Sequence, residues 1–521
     1  MFKKGISLLL CAAMMFGVLA GCGSDAKSGE KETSKTDGKV DITVAMWNVQ
    51  EALAGGMNDK MLATIEEKTG VHLIPQDVTD SDYHAKVQLW STNNQLPDIF
   101  CGDFIGLGQS SFYDWVDQGI IKALPSDLSA YPNLQEYMKM NRVKQAMQDG
   151  KSYIIPRQSY AEIHYSVLDR NIAYRWDLAQ AAGVTKEPET WDEFRDMIQK
   201  IKAADPEDKK VEGLTQNGSK ILAGCLYPYG GILEKKWIIN EDGKVLPSYF
   251  DGNLKAAMQL SRDMYTEGTI VKDIAQVNGS SAKDMFLQGR CAAIAFNDGP
   301  ASLYALGAKY NEIYGREFLD DVKFAPIFPG FDGKKYYFVD TEAWSETYIN
   351  SNVSDEKMDA ILRLYDYLLS DEGKMLVFCG FEGEDYELVD GVPVMEENVV
   401  LEDKYAYAKI SNLAMHNPRY WDYKFASYIP KGYLDQNDMR VNDAIDNGFL
   451  LNISDASMLL STPLKDKFYF NPHEDFYKIM MGEDSVDKMV DDMMAEYEAK
   501  GLNEMLEEVN ILAKDRGIIN E

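Results

Sequence analysis

Three short stretches set aromatic rings beside amide and carboxylate groups where a polar ligand could be gripped: Trp47-Asn48, Asp77, and Cys101-Gly102-Asp103-Phe104. An indole face stacks on the C–H surface of a polyhydroxylated ring, and short polar side chains take up its hydroxyls as donors or acceptors. Covalent chemistry has no comparable set of residues. The chain carries 84 Asp and Glu, so some pair spaced for glycan hydrolysis can always be picked out, and picking one carries no information. No G-x-S-x-G elbow, phosphate-cradling loop or zinc motif is present, and Gly106-Leu107-Gly108 lacks the third glycine of a dinucleotide turn. Non-covalent capture is the chemistry these residues suit.

The elements that must position them are legible around the same stretches. Ile42, Val44 and Met46 alternate as in a strand over residues 41–47. Residues 52–69 carry Leu53, Met57, Met61 and Ile65 at helical spacing, with Gly70 as the C-cap. A second strand follows at 71–74, a helix runs through Leu89 and Trp90, and Pro97-Asp98-Ile99-Phe100 opens a third strand. Strand, helix, strand, helix, strand predicts parallel pairing with right-handed crossovers, hence an α/β lobe. Ligands meet such sheets at the carboxyl ends of the strands, where Trp47 and Asp103 fall.

Bulk properties set further bounds. A chain of 521 residues is too long for one simple core and predicts at least two lobes. A net charge of −31 excludes a nucleic-acid role, which needs a basic face, and fits solubility in an exposed setting. Cys101, Cys225, Cys291 and Cys379 are scattered without CxxC or a metal-spaced His, which leaves two disulfides or four buried thiols open. His72, His84, His164, His416 and His473 read as incidental. At the N-terminus, Lys3 and Lys4 precede an apolar run over 6–19 that is too short to span a bilayer, and Leu19-Ala20-Gly21-Cys22 follows. That layout resembles a bacterial lipoprotein signal with lipid placed on the Cys22 thiol. Residues 23–39 contain no aromatic or branched aliphatic residue. They predict a flexible tether with an end-to-end distance of roughly 20–25 Å.

Further along, several motifs occur in a fixed order. They are Tyr174-Arg175-Trp176-Asp177-Leu178, Pro188-Glu189-Thr190-Trp191-Asp192-Glu193-Phe194, Tyr229-Gly230-Gly231, Met285-Phe286-Leu287-Gln288-Gly289-Arg290 and Leu369-Ser370-Asp371-Glu372-Gly373, with Gly380-Phe381-Glu382-Gly383-Glu384-Asp385-Tyr386 after them. Thr190 can cap a helix whose buried stripe is Phe194, Ile198 and Ile201. Together the motifs resemble the family 1 extracellular solute-binding proteins, the lipoprotein subunits of carbohydrate-type ABC importers. The resemblance implies a two-lobed clamp of type II topology, each lobe a mainly parallel sheet flanked by helices. It divides the chain into signal peptide 1–21, tether 22–40, a first lobe of 41–163 plus about 340–405, and a second lobe of 164–339 plus about 406–521. Crossings between lobes are expected at 163–168, leading into a helix at Tyr174, and at 336–348.

The same resemblance implies which residues meet the ligand: Trp47 and Asp103 on the first lobe, Tyr227 and Tyr229 opposite, Asn297 and Asp298 at the cleft, Trp344 at the return crossing, and Tyr420 and Trp421 closing over it. Arg157 and Tyr160 are lesser candidates. The implied ligand is an oligosaccharide and the implied partners are ABC permease subunits. The protein would be a monomer on the extracytoplasmic face of the cell membrane, with no catalytic residues and no cofactor. Some members carry a calcium loop after the Thr190 helix. The matching residues 205–213 lack its D-x-D-x-D/N-G order and place Lys209 and Lys210 where oxygen ligands belong, so no metal is expected. The competing readings are a secreted glycan-degrading enzyme and a ligand-loaded partner of a membrane sensor.

Overall fold

Alternating apolar residues build the first strand where the sequence places it, while the helix expected over 52–69 is broken into Val49–Leu53, a 3-10 turn at Gly56–Asn58 and Lys60–Thr69, which leaves Met57 exposed. The computed structural model describes residues 33–520 apart from 77, 79–82, 106–110, 161, 219, 278, 298, 341, 390–391, 396–400, 416–428 and 459. Strand β1 (Lys39–Ala45) buries Ile42 and Val44 completely and pairs in parallel with β2 (Val71–Pro75) and β3 (Ile99–Gly102). The intervening helix Lys60–Thr69 is capped by the Asp59 carboxylate and stopped by Gly70 at φ 68°, a left-handed turn that suits glycine.

After β4 (Ile155–Gln158) the chain leaves this sheet and builds a second from β5 (Asn171–Arg175), β6 (Glu212–Gln216), β7 (Cys291–Phe296) and β8 (Val322–Phe324). It then returns as β9 (Ala343–Ile349), which inserts between β3 and β4 and runs antiparallel to both. The first sheet therefore has the order β2-β1-β3-β9-β4, with the short strand Lys35–Thr36 also on β1. The second has the order β8-β5-β7-β6.

Two separate α/β lobes with helices outside each sheet are thus present, as expected. Most strands of each sheet share one direction, as expected, and one strand in each is inverted: β9 runs against β1, β2, β3 and β4 in the first sheet, and β5 against β6, β7 and β8 in the second. The cause is topological. A strand that returns from the other lobe enters its sheet without a crossover helix to impose direction. Tyr174 accordingly lies in β5, and the helix begins at Trp176.

Each lobe has its own core. The first is centred on Ile42, Ile65 and Ile361, the second on Tyr174, Phe194 and Ala293. Tyr407, Ile410 and Leu413 pack in the first core, so that lobe runs past the expected limit near 405. Ile429 is already in the second lobe. The helices Val486–Ala499 and Leu502–Asp515 pack Val490, Met493, Met505 and Val509 onto the second core. Among the described residues, no helix is long and apolar enough to cross a membrane. Cys101, Cys225, Cys291 and Cys379 are all free thiols.

Candidate ligand-binding site

One wall of the site grows from the carboxyl edge of the first sheet. Beyond β1, Asn48 takes a left-handed backbone (φ 60°) to start the helix Val49–Leu53, a conformation Asn tolerates better than bulkier residues. The turn leaves Trp47 half-buried at the sheet edge instead of carrying it into the core. Trp344, the second residue of β9, arrives at the same point, and the two indoles lie 5.1 Å apart at 48°. Tyr83 meets Trp47 edge-on at 6.0 Å. Its hydroxyl donates to Ala45 O (2.9 Å) and accepts from Cys101 N (3.2 Å), which ties the aromatic group to β1 and β3.

Arg157, in β4, completes this wall. It is fully buried, with its guanidinium carbon 4.5 Å from the Trp47 ring and 4.8 Å from the Trp344 ring. Nε donates to Ser345 Oγ at 2.8 Å, and Nη1 faces Met46 Sδ at 3.7 Å. A desolvated guanidinium over an indole face is worth about 2 kcal/mol or more, so Arg157 fixes both rings at once. Asp103 stands half-buried just beyond β3, its charge acting on the buried Tyr348 phenol.

The other wall stands at the carboxyl edge of the second sheet. Asn297, directly after β7, donates to Asp169 Oδ1 and accepts from Gly299 N at 3.0 Å. Asp169 is ion-paired with Arg170. Burial nevertheless pushes the Asp169 carboxyl up to about 6, with Asp340 adding to the effect and Arg170 and Asn297 opposing it. Glu234 approaches Arg170 and lies 3.3 Å from His473 Nε2. A Cβ on Gly224 would come within 2.7 Å of Arg170 Nε and 2.9 Å of Glu234 Oε1, so only glycine leaves these two side chains their place. Outermost, Tyr469 is 68% exposed, and Lys235 Nζ is 5.5 Å from its ring.

The walls are joined by two adjacent segments. Ser159 N donates to Glu342 O at 2.8 Å, His164 Nδ1 lies 2.6 Å from the Tyr337 hydroxyl, and Lys236 is ion-paired with Asp340. Val167, Leu168, Tyr337 and Val339 pack there against the helix Lys431–Asn447. Ser159 meets Glu342 and His164 meets Tyr337, so the two segments run antiparallel between the separately packed lobes, the arrangement of a hinge.

Several expected site residues fall elsewhere. Tyr227 has no exposed surface: its ring packs on Tyr249 and Phe476, and its hydroxyl donates to Pro472 O. Tyr229 is half-buried and lines a cavity of about 60 Å³ with Trp191, Phe328 and Tyr336, which Arg170 of the polar wall and Tyr337 of the hinge also line. Pro228 starts the 3-10 turn Tyr227–Gly230 that carries both rings inward. Tyr160 is buried too, although its neighbours Asp169 and Asp340 belong to the wall and the hinge. Asp298, Tyr420, Trp421 and Cys22 lie outside the described residues. Sequence reasoning passed over Arg170, Glu234, Tyr469 and the pairing of His473, because no local pattern marks residues that converge only through the fold.

The residues at 205–213 do not fit a calcium ion. Asp205 spends its carboxylate on the backbone N–H groups of Lys209, Lys210 and Val211, and Lys209 pairs with Glu207. A hard cation would find ammonium groups where it needs oxygen.

Two α/β lobes joined by adjacent crossing segments, with an aromatic group at the edge of one sheet and a polar group at the edge of the other, have the architecture of a clamp. The chain belongs to the family described as Bacterial extracellular solute-binding protein, whose profile matches residues 51–375. It is 25% identical over 411 residues to Lipoprotein LipO of Bacillus subtilis (strain 168), covering 75% of each chain. Among solved structures it is similar to the alginate-binding protein AlgQ2, with TM-score 0.70, 17% identity and coverage of 93% of this chain and 100% of that one. It is also similar to the S. pneumoniae ABC-transporter substrate-binding protein FusA, solved as an EF-hand mutant with fructo-nystose, at TM-score 0.69, 16% identity and coverage of 92% and 99%. An extracellular solute-binding protein from Bifidobacterium longum subsp. infantis matches at TM-score 0.66, 16% identity and coverage of 92% and 98%.

Proposed function

We propose that this protein is a lipid-anchored receptor that closes its two lobes over an oligosaccharide and delivers it to an ABC importer. The observation that carries the reading is the Trp47–Arg157–Trp344 wall at the carboxyl edge of the first sheet, together with the polar groups of Asp169, Asn297 and Arg170 at the edge of the second. Stacking area supplies affinity for a sugar ring, and fixed donors and acceptors supply orientation. The solved relatives named for alginate and for a fructan oligosaccharide support a carbohydrate over other solutes. Titrating an oligosaccharide panel by calorimetry should give heats of binding with no product released. Small-angle scattering at saturation should show a smaller particle, because closure brings the lobes together. Sugar turnover, or an unchanged scattering profile with bound sugar, would sink the clamp reading.

The anchor rests on Leu19-Ala20-Gly21-Cys22 and the polar stretch behind it, and LipO's printed name supports it. Cys22→Ala should leave the fold intact and block lipid attachment, so that the protein is released or its precursor is stranded. Fractionation that finds the variant processed and membrane-bound like wild type would overturn the anchor.

A further inference from the structure

Two of the ordered motifs have no part in the walls of the cleft. Arg175 and Asp177 come from one of them and Gly289 from another. They meet at the loop 205–213, on the end of the second sheet away from Asn297, since Asn171 pairs with Phe296 and Tyr174 with Ala293. Arg175 closes β5 and is wholly buried. Its Nε and Nη2 donate to the two oxygens of Asp177 at 2.8 Å each, and Nη1 donates to the Tyr314 hydroxyl at 3.2 Å. Nη2 also lies 3.5 Å from Glu207 Oε1, and the other Glu207 oxygen accepts from Lys209 Nζ at 2.5 Å. The rings of Tyr310 and Tyr314, on the helix Pro300–Tyr314, stand 5.2 and 4.9 Å from the guanidinium carbon. Arg316 completes the group, with Nη2 3.1 Å from Asp177 and Nε 3.1 Å from Asp321.

Gly289 shows how closely these groups converge. It has φ 70°, and a Cβ there would fall 2.6 Å from Glu207 Oε2, 3.2 Å from Lys209 Nζ and 3.3 Å from Arg175 Nη1. The turn before β7 is thus met at one point by the end of β5 and by the loop after the helix Trp191–Ala204. A hard metal ion gathers the oxygens of a loop around one centre in this way. A guanidinium can do so with five donors fixed in one plane, and it keeps its charge at any working pH. Arg175, Lys209 and Arg316 here face Asp177, Glu207 and Asp321, and Asp205 is spent on three backbone N–H groups. A divalent ion would bring positive charge to a cluster whose carboxylates are already matched.

We infer that Arg175 is the resident cation of this loop, so that the chain closes its second lobe with its own charge and without a divalent ion. Thermal unfolding of the full chain tests it, with no sugar needed. EDTA and millimolar calcium chloride should each leave the wild-type melting temperature within about 1 °C, since an ion held by the folded state would raise it by mass action. Arg175→Met should melt about 5 °C or more lower in EDTA, because it strands the Asp177 carboxylate, which is only 13% exposed. Calcium chloride should recover part of that drop, a response that a residue needed only for packing would not give. Lys209→Met, at the rim of the cluster, should show the same calcium response on a smaller drop, and it carries the test if Arg175→Met does not fold. Calcium that raises the wild-type melting temperature, or EDTA that lowers it, would overturn the inference, because the fold would then draw on a divalent ion. Variants that ignore calcium would overturn it as well and leave Arg175 a packing residue.

Discussion

Trp47→Ala and Trp344→Ala are each expected to weaken sugar binding by about 1.5–3 kcal/mol, ten- to a hundredfold or more, with a stability loss held to about 2 kcal/mol, the worth of the contact with Arg157. Both rings are half-buried at the sheet edge and meet at 5.1 Å with a 48° tilt, so removing either strips area from the platform rather than opening a closed core. Each change also removes a π-face from the buried Arg157 guanidinium, which adds to the disorder of the wall. A tryptophan whose role is core packing behaves in the opposite way, with about 3–5 kcal/mol of stability lost on truncation and affinity preserved. Calorimetry and melting curves on both variants separate the cases, and unchanged affinity in both would move the site elsewhere.

The largest stability effect is expected two residues beyond Trp344. Glu346 is wholly buried and accepts from Arg142 Nη2 at 2.6 Å and Nε at 3.0 Å, while the Tyr348 hydroxyl donates to its other oxygen at 3.0 Å. Arg142 is itself only 2% exposed and belongs to the helix Asn141–Ala146. Arg142→Met should cost about 3–5 kcal/mol, since it strands a buried carboxylate. Arg142→Met/Glu346→Gln should recover much of that loss, because the orphan charge is gone. Urea unfolding measures both. A single variant that loses less than about 1 kcal/mol would show that solvent reaches Glu346 and that the pair behaves as a surface bridge. The pair joins β9 to the first lobe immediately beneath the aromatic wall, so its loss should also loosen Trp344.

Much of the local structure was legible because short windows encode it. The alternation of Ile42, Val44 and Met46 gave β1, and Gly70 ended the following helix at φ 68°. Thr190 caps its helix through Glu193 N at 3.2 Å, and Phe194, Ile198 and Ile201 are its buried stripe. Trp47 and Asp103 were placed at strand ends by the same reasoning, and both stand there. Tyr227 shows where that reasoning stops. A tyrosine in a 3-10 turn is equally compatible with a cleft or a core, and only the packing of Tyr249, Phe476 and Pro472 around it decides for the core.

The class of the protein was legible in the chain alone, because the ordered motifs and the strand–helix alternation of the first lobe are each written in contiguous residues. What only the tertiary structure decided is the composition of the walls. Trp47, Arg157 and Trp344 lie on three strands far apart in the chain, and they meet because β9 returns from the other lobe to lie between β3 and β4. Which side chains of those strands face one another is set by register, and a shift of one residue would turn each to the opposite face. Register depends on long-range pairing, which no local window contains.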